Sequence, residues 1–262
     1  FSVVHPEWTS RWMKDLFTEV VRPGLARAER ILAISESTKR DLVERWGVAP
    51  ERVQVIHEGV DGALFRPLPK EALAAVRAQY RLPARFLLMV GPFDPWCDQR
   101  WTLEALARLP SHLGDVGLVM AGPRGSLYEE ARRRAAELGL ERRLTWLGYV
   151  PQADLVGAYN LAEALMFASG TEGFGLPVLE AMSCGTPVVT SRSGALPEVA
   201  GEAALLVDYD SSEQLAAAMV QVLDDGAVRA TLREKGLRRA AQLPWEKTAR
   251  ETLAVYRSVL RR

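Results

Sequence analysis

The stretch that decides the fold runs from residue 164 to residue 187 and reads ALMFASGTEGFGLPVLEAMSCGTP. An apolar run with strand character, Ala164 to Ala168, leads through a glycine-rich turn into a segment with helical spacing of apolar residues, Val178 to Met182. Pro177 suits the first turn of that helix, because its missing N–H would be unpaired there. A strand that enters a helix through such a turn is the unit of a parallel sheet, so the stretch predicts an α/β fold.

The same alternation of short apolar runs and longer amphipathic segments continues along the whole chain. Predicted strands cover residues 1–4, 31–34, 53–56, 86–90, 117–121, 144–147, 164–168, 187–190 and 204–207. Predicted helices cover residues 103–109, 128–138, 155–160, 178–182, 213–223 and 245–260, with one more after the capping residues 35–38. This order is typical of a Rossmann-like, doubly wound parallel sheet.

The amino-acid composition limits the classes of molecule that the chain is expected to bind. The chain has 262 residues, of which 48% are apolar, so a large domain or one domain with part of another can bury a core. Lys and Arg number 33, as do Asp and Glu, and a net charge of +0 gives no field that favours nucleic acid or an anionic membrane. Nucleic acid is therefore not an expected partner, and any phosphate recognition must be local.

Cysteine usage and hydropathy predict the compartment. Cys97 and Cys184 stand far apart in unrelated contexts, which indicates neither a disulfide framework nor a metal-ligand cluster. No apolar run reaches the ~18 residues that a membrane-spanning helix needs. We expect a cytoplasmic location, with peripheral association at the inner membrane face left open. The first residues, which begin without Met on an apolar run, have the pattern of a strand entered partway through a longer protein.

The turn in the deciding stretch predicts an anion site. It lies at the carboxyl edge of the predicted sheet, where ligands of parallel sheets bind, and the free N–H groups at the helix start suit a diphosphate. The residues predicted to line it are Gly173, Phe174, Gly175, Leu176, Pro177 and Val178. Glu172 before the helix and Glu180 within it offer carboxylates to a sugar and to a ribose diol. From spacing alone, a tight turn and a surface glutamate explain the same residues equally well.

Longer motifs add a resemblance. Seven residues separate Glu172 from Glu180, and Ala181-Met182 and residues 184–187 (CGTP) follow; this pattern resembles the paired-glutamate signature of the retaining GT-B glycosyltransferases called family 4. Residues 55–67 resemble the family's interdomain linker, and Gly91 looks like one of its strand-end glycines. Tyr149 and Val150 stand in a turn similar to the one whose backbone meets the nucleobase.

The resemblance implies a domain organisation. Residues 1–57 would be the end of an N-terminal, acceptor-side Rossmann-like domain. Residues 58–243 would form the C-terminal, nucleotide-sugar-binding Rossmann-like domain, and residues 244–262 a helix that crosses back to the first. The two Rossmann-like domains together imply the GT-B fold. The apolar surface left exposed without the rest of the first domain invites self-association or domain swapping.

The resemblance also implies an activity. It is the transfer, with retention, of a hexose from a nucleotide diphosphate sugar to a saccharide or lipid-linked acceptor, without a metal ion or other cofactor. The donor that the resemblance suggests first is GDP-mannose, and UDP-hexoses are the alternative. The catalytic residues would be Glu172 and His5, the latter reaching the donor sugar from the opposite domain; a lone histidine after a strand is otherwise a structural hydrogen-bonder. The chain alone is expected not to transfer sugar.

The chain departs from the family pattern at the two cations that neutralise the donor's diphosphate. Pro92 stands in place of an Arg and Cys97 in place of a Lys, and neither supplies charge. A charge-assisted hydrogen bond contributes roughly 1.5–3 kcal/mol, and a cation also stabilises the leaving diphosphate. Arg100 or Arg124 is the predicted substitute.

Two other functions compete with this one. The lost cations favour a catalytically degenerate module that binds nucleotide sugar or another protein without turnover. A Rossmann dehydrogenase fits the predicted sheet, but no strand is followed by Gly-x-Gly-x-x-Gly with an acidic residue ~20 positions later.

Overall fold

A computed structural model describes residues 6–260 of the chain. It divides into two compact units: the residues up to Gly59 together with those from Leu243 onward, and the continuous segment Val60–Gln242. The predicted divisions were after residues 57 and 243, with the C-terminal helix counted separately. The predicted strand 1–4 and His5 lie outside the described residues.

Strands and α-helices alternate from Ile31 to Asp224, and further helices precede and follow this part of the chain. The strands are β1 (Ile31–Ala33), β2 (Val53–Val55), β3 (Phe86–Val90), β4 (Gly117–Ala121), β5 (Leu144–Gly148), β6 (Ala164–Phe167), β7 (Val188–Ser191) and β8 (Leu205–Val207). The α-helices are α1 (Arg11–Leu16), α2 (Arg22–Arg27), α3 (Glu36–Glu44), α4 (Lys70–Tyr80), α5 (Arg100–Ala107), α6 (Tyr128–Glu137), α7 (Gln152–Leu161), α8 (Leu176–Cys184), α9 (Leu196–Ala200), α10 (Ser212–Asp224), α11 (Gly226–Ala241) and α12 (Trp245–Leu260).

The smaller unit contains a parallel pair, β1 and β2, in which Ile31 is paired with Val53. Ser35 caps α3 by accepting a hydrogen bond from the N–H of Thr38 at 3.0 Å, as the capping pattern predicted. Helix α12 belongs to this unit, and the Thr248 hydroxyl donates to the carbonyl of His57 at 2.7 Å.

The larger unit is built on a six-stranded, wholly parallel sheet of order β5-β4-β3-β6-β7-β8. Counted within this unit, the order is 3-2-1-4-5-6, the order of a doubly wound nucleotide-binding sheet. The direction of winding reverses between β3 and β6, where Leu87 is paired with Ala164. A crevice at the carboxyl ends of these two strands is the expected ligand site.

Both faces of this sheet are covered. Leu87 and Met89 of β3 belong to one core cluster with residues of α5, α6 and α10. Leu88, between them, is fully buried too and points to the opposite face, where α7 packs. Helix α8 packs against both α7 and α11. Strands that are buried on both faces consist of consecutive apolar residues, and for this reason the central strands of this sheet could be predicted from the sequence.

Helices α1, α2, α4, α9 and α11 were not predicted, and the two longest of them, α4 and α11, show the reason. Helix α4 has no fully buried residue, and α11 buries only Leu232, Gly236 and Ala240 along its 16 residues. Neither therefore shows the wide apolar stripe that reveals a helix by its spacing. Among the helices of residues 6–260, none has the length and hydropathy needed to cross a membrane.

Candidate functional site

Three loops meet at the carboxyl edge of the central strands: residues 91–99 after β3, 122–127 after β4 and 168–175 after β6. The first two are packed backbone against backbone. A side-chain carbon on Gly122 would lie 2.0 Å from the carbonyl oxygen of Gly91, so only glycine fits there. The N–H of Leu127 donates to the carbonyl of Phe93 at 2.7 Å, which holds the loops together further along. Both glycines have positive φ angles, +143° at Gly91 and +155° at Gly122.

The loop after β6 is attached to the loop after β3. The Ser169 hydroxyl and the N–H of Gly170 both donate to the carbonyl of Trp96, each at 2.7 Å. From the next strand, the Ser191 hydroxyl donates to the carbonyl of Ser169 at 2.5 Å. Ser169 and Ser191 are buried, and these bonds satisfy their hydroxyls. The three loops therefore form one connected platform.

Glu172 projects from this platform. Its carbonyl accepts a hydrogen bond from the N–H of Ala195 at 3.0 Å, and a side-chain carbon on Gly194 would lie 2.5 Å from the same oxygen. Burial raises the pKa of the Glu172 carboxyl, and the neighbouring Ser169 hydroxyl and Cys97 thiol lower it in part. A carboxyl in this setting accepts hydroxyl hydrogens readily, because water competes little for it.

Cys97 lies beside this carboxylate, at the position where the resemblance places a lysine. Its Sγ is 3.5 Å from Glu172 Oε1 and 3.5 Å from Ser169 Oγ, and the side chain is only 6% exposed. Burial, and next the charge of Glu172, raise the pKa of the thiol. Cys97 is therefore a neutral, weak donor to Glu172 and supplies no positive charge to a ligand.

The anion site was predicted at the start of α8. Gly175 is the N-cap, with a φ of +108°, and Leu176 and Pro177 open the helix. Phe174 and Val178 are buried, and the N–H of Val178 donates to the carbonyl of Gly175 at 3.0 Å. The first turn thus begins at the residue that the sequence indicated, with its amino end at the same edge as Glu172.

Glu180 lies one turn into α8, and its partner comes from α7. The Tyr159 hydroxyl donates to Glu180 Oε2 at 2.8 Å. Burial raises the pKa of the Glu180 carboxyl, and the bond from Tyr159 lowers it. Tyr159 was not among the predicted site residues, because an aromatic residue inside a helix normally indicates core.

The two predicted substitute cations differ in their surroundings. Arg100 donates from Nε to both oxygens of Asp98, at 3.0 and 2.9 Å, and from Nη1 to Glu130 at 3.0 Å. Arg124 is exposed; its guanidinium lies 4.8 Å from the centre of the Tyr128 ring, and it forms no ion pair with a described residue. Arg100 is thus neutralised by two carboxylates, whereas Arg124 is not.

The remaining predicted residues lie at the edges of the site or elsewhere. Tyr149 is 78% exposed in the turn after β5, Val150 is buried, and Gly148 before them has a φ of +68°. His112 is exposed, with its Nε2 2.9 Å from Asp224. Within residues 6–260, no group of three or more His, Cys, Asp or Glu side chains could hold a metal ion.

Two family models match the chain. The model described as glycosyl transferases group 1 matches residues 74–239, and that described as glycosyltransferase family 4 matches residues 2–63. Among curated relatives, the O-antigen chain mannosyltransferase B of Escherichia coli is 30% identical over 255 residues. The D-inositol 3-phosphate glycosyltransferase of Thermobispora bispora is 34% identical over 250 residues. The chain spans 66% of the first relative and 57% of the second, which cover 97% and 90% of it.

Solved structures share the fold. HepE of Anabaena, crystallised with UDP and glucose, superposes with a TM-score of 0.86 at 23% identity, covering 98% of this chain and 70% of HepE. A sucrose-phosphate synthase of Thermosynechococcus elongatus gives a TM-score of 0.82 at 28% identity, covering 98% of this chain and 65% of that one.

Proposed function

The chain belongs to the glycosyl transferases of group 1 and has the fold of GT-B glycosyltransferases, and from this premise we propose that its larger unit binds a nucleotide diphosphate sugar for transfer of the hexose with retention. The proposal rests on one observation above others. Two partly buried carboxylates, Glu172 and Glu180, flank the amino end of α8 at the switch point of a doubly wound sheet. HepE, which has this fold, binds UDP and UDP-glucose.

Each part of the donor has a matching group in this proposal. The amino end of α8 faces the diphosphate, whose charge suits the positive end of the helix dipole. Glu172 orients the sugar hydroxyls, and Glu180 accepts hydrogen bonds from the ribose diol. The turn of Tyr149 and Val150 meets the nucleobase. No protein nucleophile and no metal ion take part: the leaving phosphate accepts the acceptor's proton.

The diphosphate still needs a cation, and we assign that part to Arg124. Arg100 would first have to leave Asp98 and Glu130, whereas Arg124, within residues 6–260, gives up only its contact with the Tyr128 ring. The loop of Arg124 is attached to the loop after β3 through Gly122 and Leu127, which brings it to the same edge as Glu172.

A titration of the purified chain with UDP, GDP, UDP-glucose and GDP-mannose tests the proposal. We expect base-selective binding that Glu180→Ala abolishes. Glu202→Ala is the matched control, because Glu202 is exposed and pairs with Lys235 on another part of the unit. Binding that survives Glu180→Ala, or no binding by any of the four compounds, would contradict the proposal.

The cation assignment has its own test. Arg124→Gln should weaken binding of the nucleotide diphosphate at least about tenfold, because one charge-assisted hydrogen bond contributes roughly 1.5–3 kcal/mol, and it should flatten the salt dependence of binding. Arg100→Gln should leave the affinity near that of the wild type and lower the thermal stability instead. The reverse ranking of the two affinities would assign the charge to Arg100.

The neutral Pro92 and Cys97 also favour a second function, a nucleotide-sugar-binding or interaction module without turnover. The double variant Pro92→Arg with Cys97→Lys separates the two. A large gain in donor affinity would indicate a site that has lost its cations. A loss of affinity, which the assignment of Arg124 predicts, would indicate that another cation already fills the site.

Transfer itself is a proposal about the whole protein. The acceptor is proposed to be a saccharide or a lipid-linked glycan, in line with the O-antigen mannosyltransferase among the relatives. We expect the 262 residues alone to bind donor without passing the hexose to an acceptor. Robust transfer by the isolated chain, measured by release of nucleoside diphosphate with and without acceptor, would overturn that expectation.

A further inference from the structure

We propose that Tyr159 is a positioning residue of the donor site, which holds the Glu180 carboxylate from inside the core so that one of its oxygens is aimed at the ribose. The inference rests on the proposed function. It extends the site to a residue on a different helix, α7, which no ligand would touch.

Contacts of its ring, its backbone carbonyl and its hydroxyl fix the position of Tyr159. Its side chain is fully buried, and its ring packs edge-on against Phe65 with centroids 6.1 Å apart. Its backbone carbonyl accepts from the Thr186 hydroxyl at 2.7 Å, which ties α7 to the turn after α8. The phenol oxygen therefore has little freedom, and the hydrogen bond of 2.8 Å to Glu180 Oε2 restricts the carboxylate in turn.

The bond divides the two oxygens of Glu180 between different tasks. Oε2 accepts the phenol hydrogen, which leaves Oε1 as the atom for a ligand hydroxyl. A side chain held in one rotamer by a buried donor loses less conformational entropy when the ligand binds. The expected result is tighter binding than an unsupported glutamate at the same place would give.

Among the described residues, the titratable groups that face Glu180 are Tyr159 from α7 and Cys184 from its own helix. Burial, and next the charge of Glu180, raise the pKa of Tyr159 well above its usual value and that of Cys184 to about 12. Both groups are neutral at pH 7, so Glu180 is the group that titrates. Burial raises its pKa and the phenol bond opposes that rise, so removal of the phenol must raise it further.

The experiment is a titration with UDP and with GDP between pH 5 and 8, using wild type, Tyr159→Phe and Tyr80→Phe. The control removes another phenol–carboxylate bond, from the partly buried Tyr80 hydroxyl to Asp154 at 2.6 Å, elsewhere in the same unit. Tyr159→Phe should bind the nucleotide about tenfold more weakly at pH 7. Its affinity should also begin to fall at a higher pH than that of the wild type, because an ionised Glu180 is needed. Tyr80→Phe should match the wild type in both respects.

The outcomes separate this inference from the function on which it rests. If wild type binds and Tyr159→Phe binds equally well with the same pH profile, Tyr159 is only a core residue and the inference fails alone. If wild type binds neither UDP nor GDP, the proposed function and the inference fail together. Thermal unfolding of both Phe variants shows whether they are folded; Tyr159→Phe removes only the hydroxyl and keeps the packing of the ring.

Discussion

The two carboxylates of the candidate site stand on different supports. Glu172 lies in a loop, and backbone contacts with two other loops and a weak thiol donor hold it. Glu180 lies inside α8, and a fully buried phenol from α7 holds it. The first support depends on glycines that let backbones approach, and the second depends on one side chain of the core.

This difference indicates how each carboxylate can be displaced. A change of backbone space should move Glu172 and leave Glu180 in place. The loss of one hydroxyl should release Glu180 and leave Glu172 in place. The first effect is measurable as a loss of unfolding free energy. The second is measurable as a loss of nucleotide affinity and a shift of its pH dependence.

The largest effect is expected from Gly194→Ala. Its φ of +57° disfavours any side chain, and the new carbon would lie 2.5 Å from the carbonyl of Glu172. Gly139→Ala is the matched control, with a φ of +68° and no atom within 4 Å. The control should lose about 1–2 kcal/mol of unfolding free energy, and Gly194→Ala a further 1–3 kcal/mol or so from the clash. Denaturant unfolding measures both; equal losses would show that the Glu172 loop yields freely.

An intermediate effect on stability is expected from the carboxylate charges of Glu172 and Glu180. Burial raises the pKa of both carboxyls, so the folded state binds more protons than the unfolded state above pH ~4. Stability is therefore lost as the pH rises from the ordinary pKa toward the raised one. Glu180→Gln keeps the acceptor for Tyr159 and removes the charge, so it should raise the unfolding temperature at pH 7 by about 2–4 °C.

The gain from Glu180→Gln should become small near pH 4, where the wild-type carboxyl is mostly protonated in both states. The variant should also lose nucleotide binding. Thermal unfolding at pH 4 and pH 7 measures the gain. A gain of equal size at the two pH values would show that the charge is not its cause.

The smallest effect is expected from Cys97→Ala. A thiol 3.5 Å from a carboxylate oxygen is a weak donor, so its removal should change UDP affinity less than threefold or so, well below the tenfold expected for the loss of the Tyr159 hydroxyl. Titrations of the two variants side by side measure the ratio. If Cys97→Ala lost as much nucleotide affinity as Tyr159→Phe, the thiol would support Glu172 as strongly as the phenol supports Glu180.

The sequence predicted the parts of the fold that have local signals. Strands β3, β4 and β6 of the central sheet are continuous apolar runs, and the strand, glycine turn and Pro177 located the start of α8. The family resemblance selected Glu172 and Glu180 as a pair. These features depend on residues near one another in the chain, which periodicity and motif spacing can detect.

The partners of these residues could not be predicted in the same way. Tyr159 reaches Glu180 from a different helix, and Gly194 approaches Glu172 from a different loop. The engagement of Arg100 with Glu130 joins two further elements. Such contacts depend on tertiary packing, for which a single sequence has no periodic signal. They decide which of the candidate cations is available and how each carboxylate is held.

Hydrogen exchange of the chain, measured without nucleotide and with UDP or GDP, tests the position of the donor site directly. Bound nucleotide should slow exchange in three segments, residues 91–97, 122–127 and 170–178, at the carboxyl edge of the central strands. Exchange around the cavity lined by Gly185, Arg229 and Arg233 should stay unchanged. Protection at that cavity in place of the three loops would contradict the assignment of the donor site to Glu172 and Glu180.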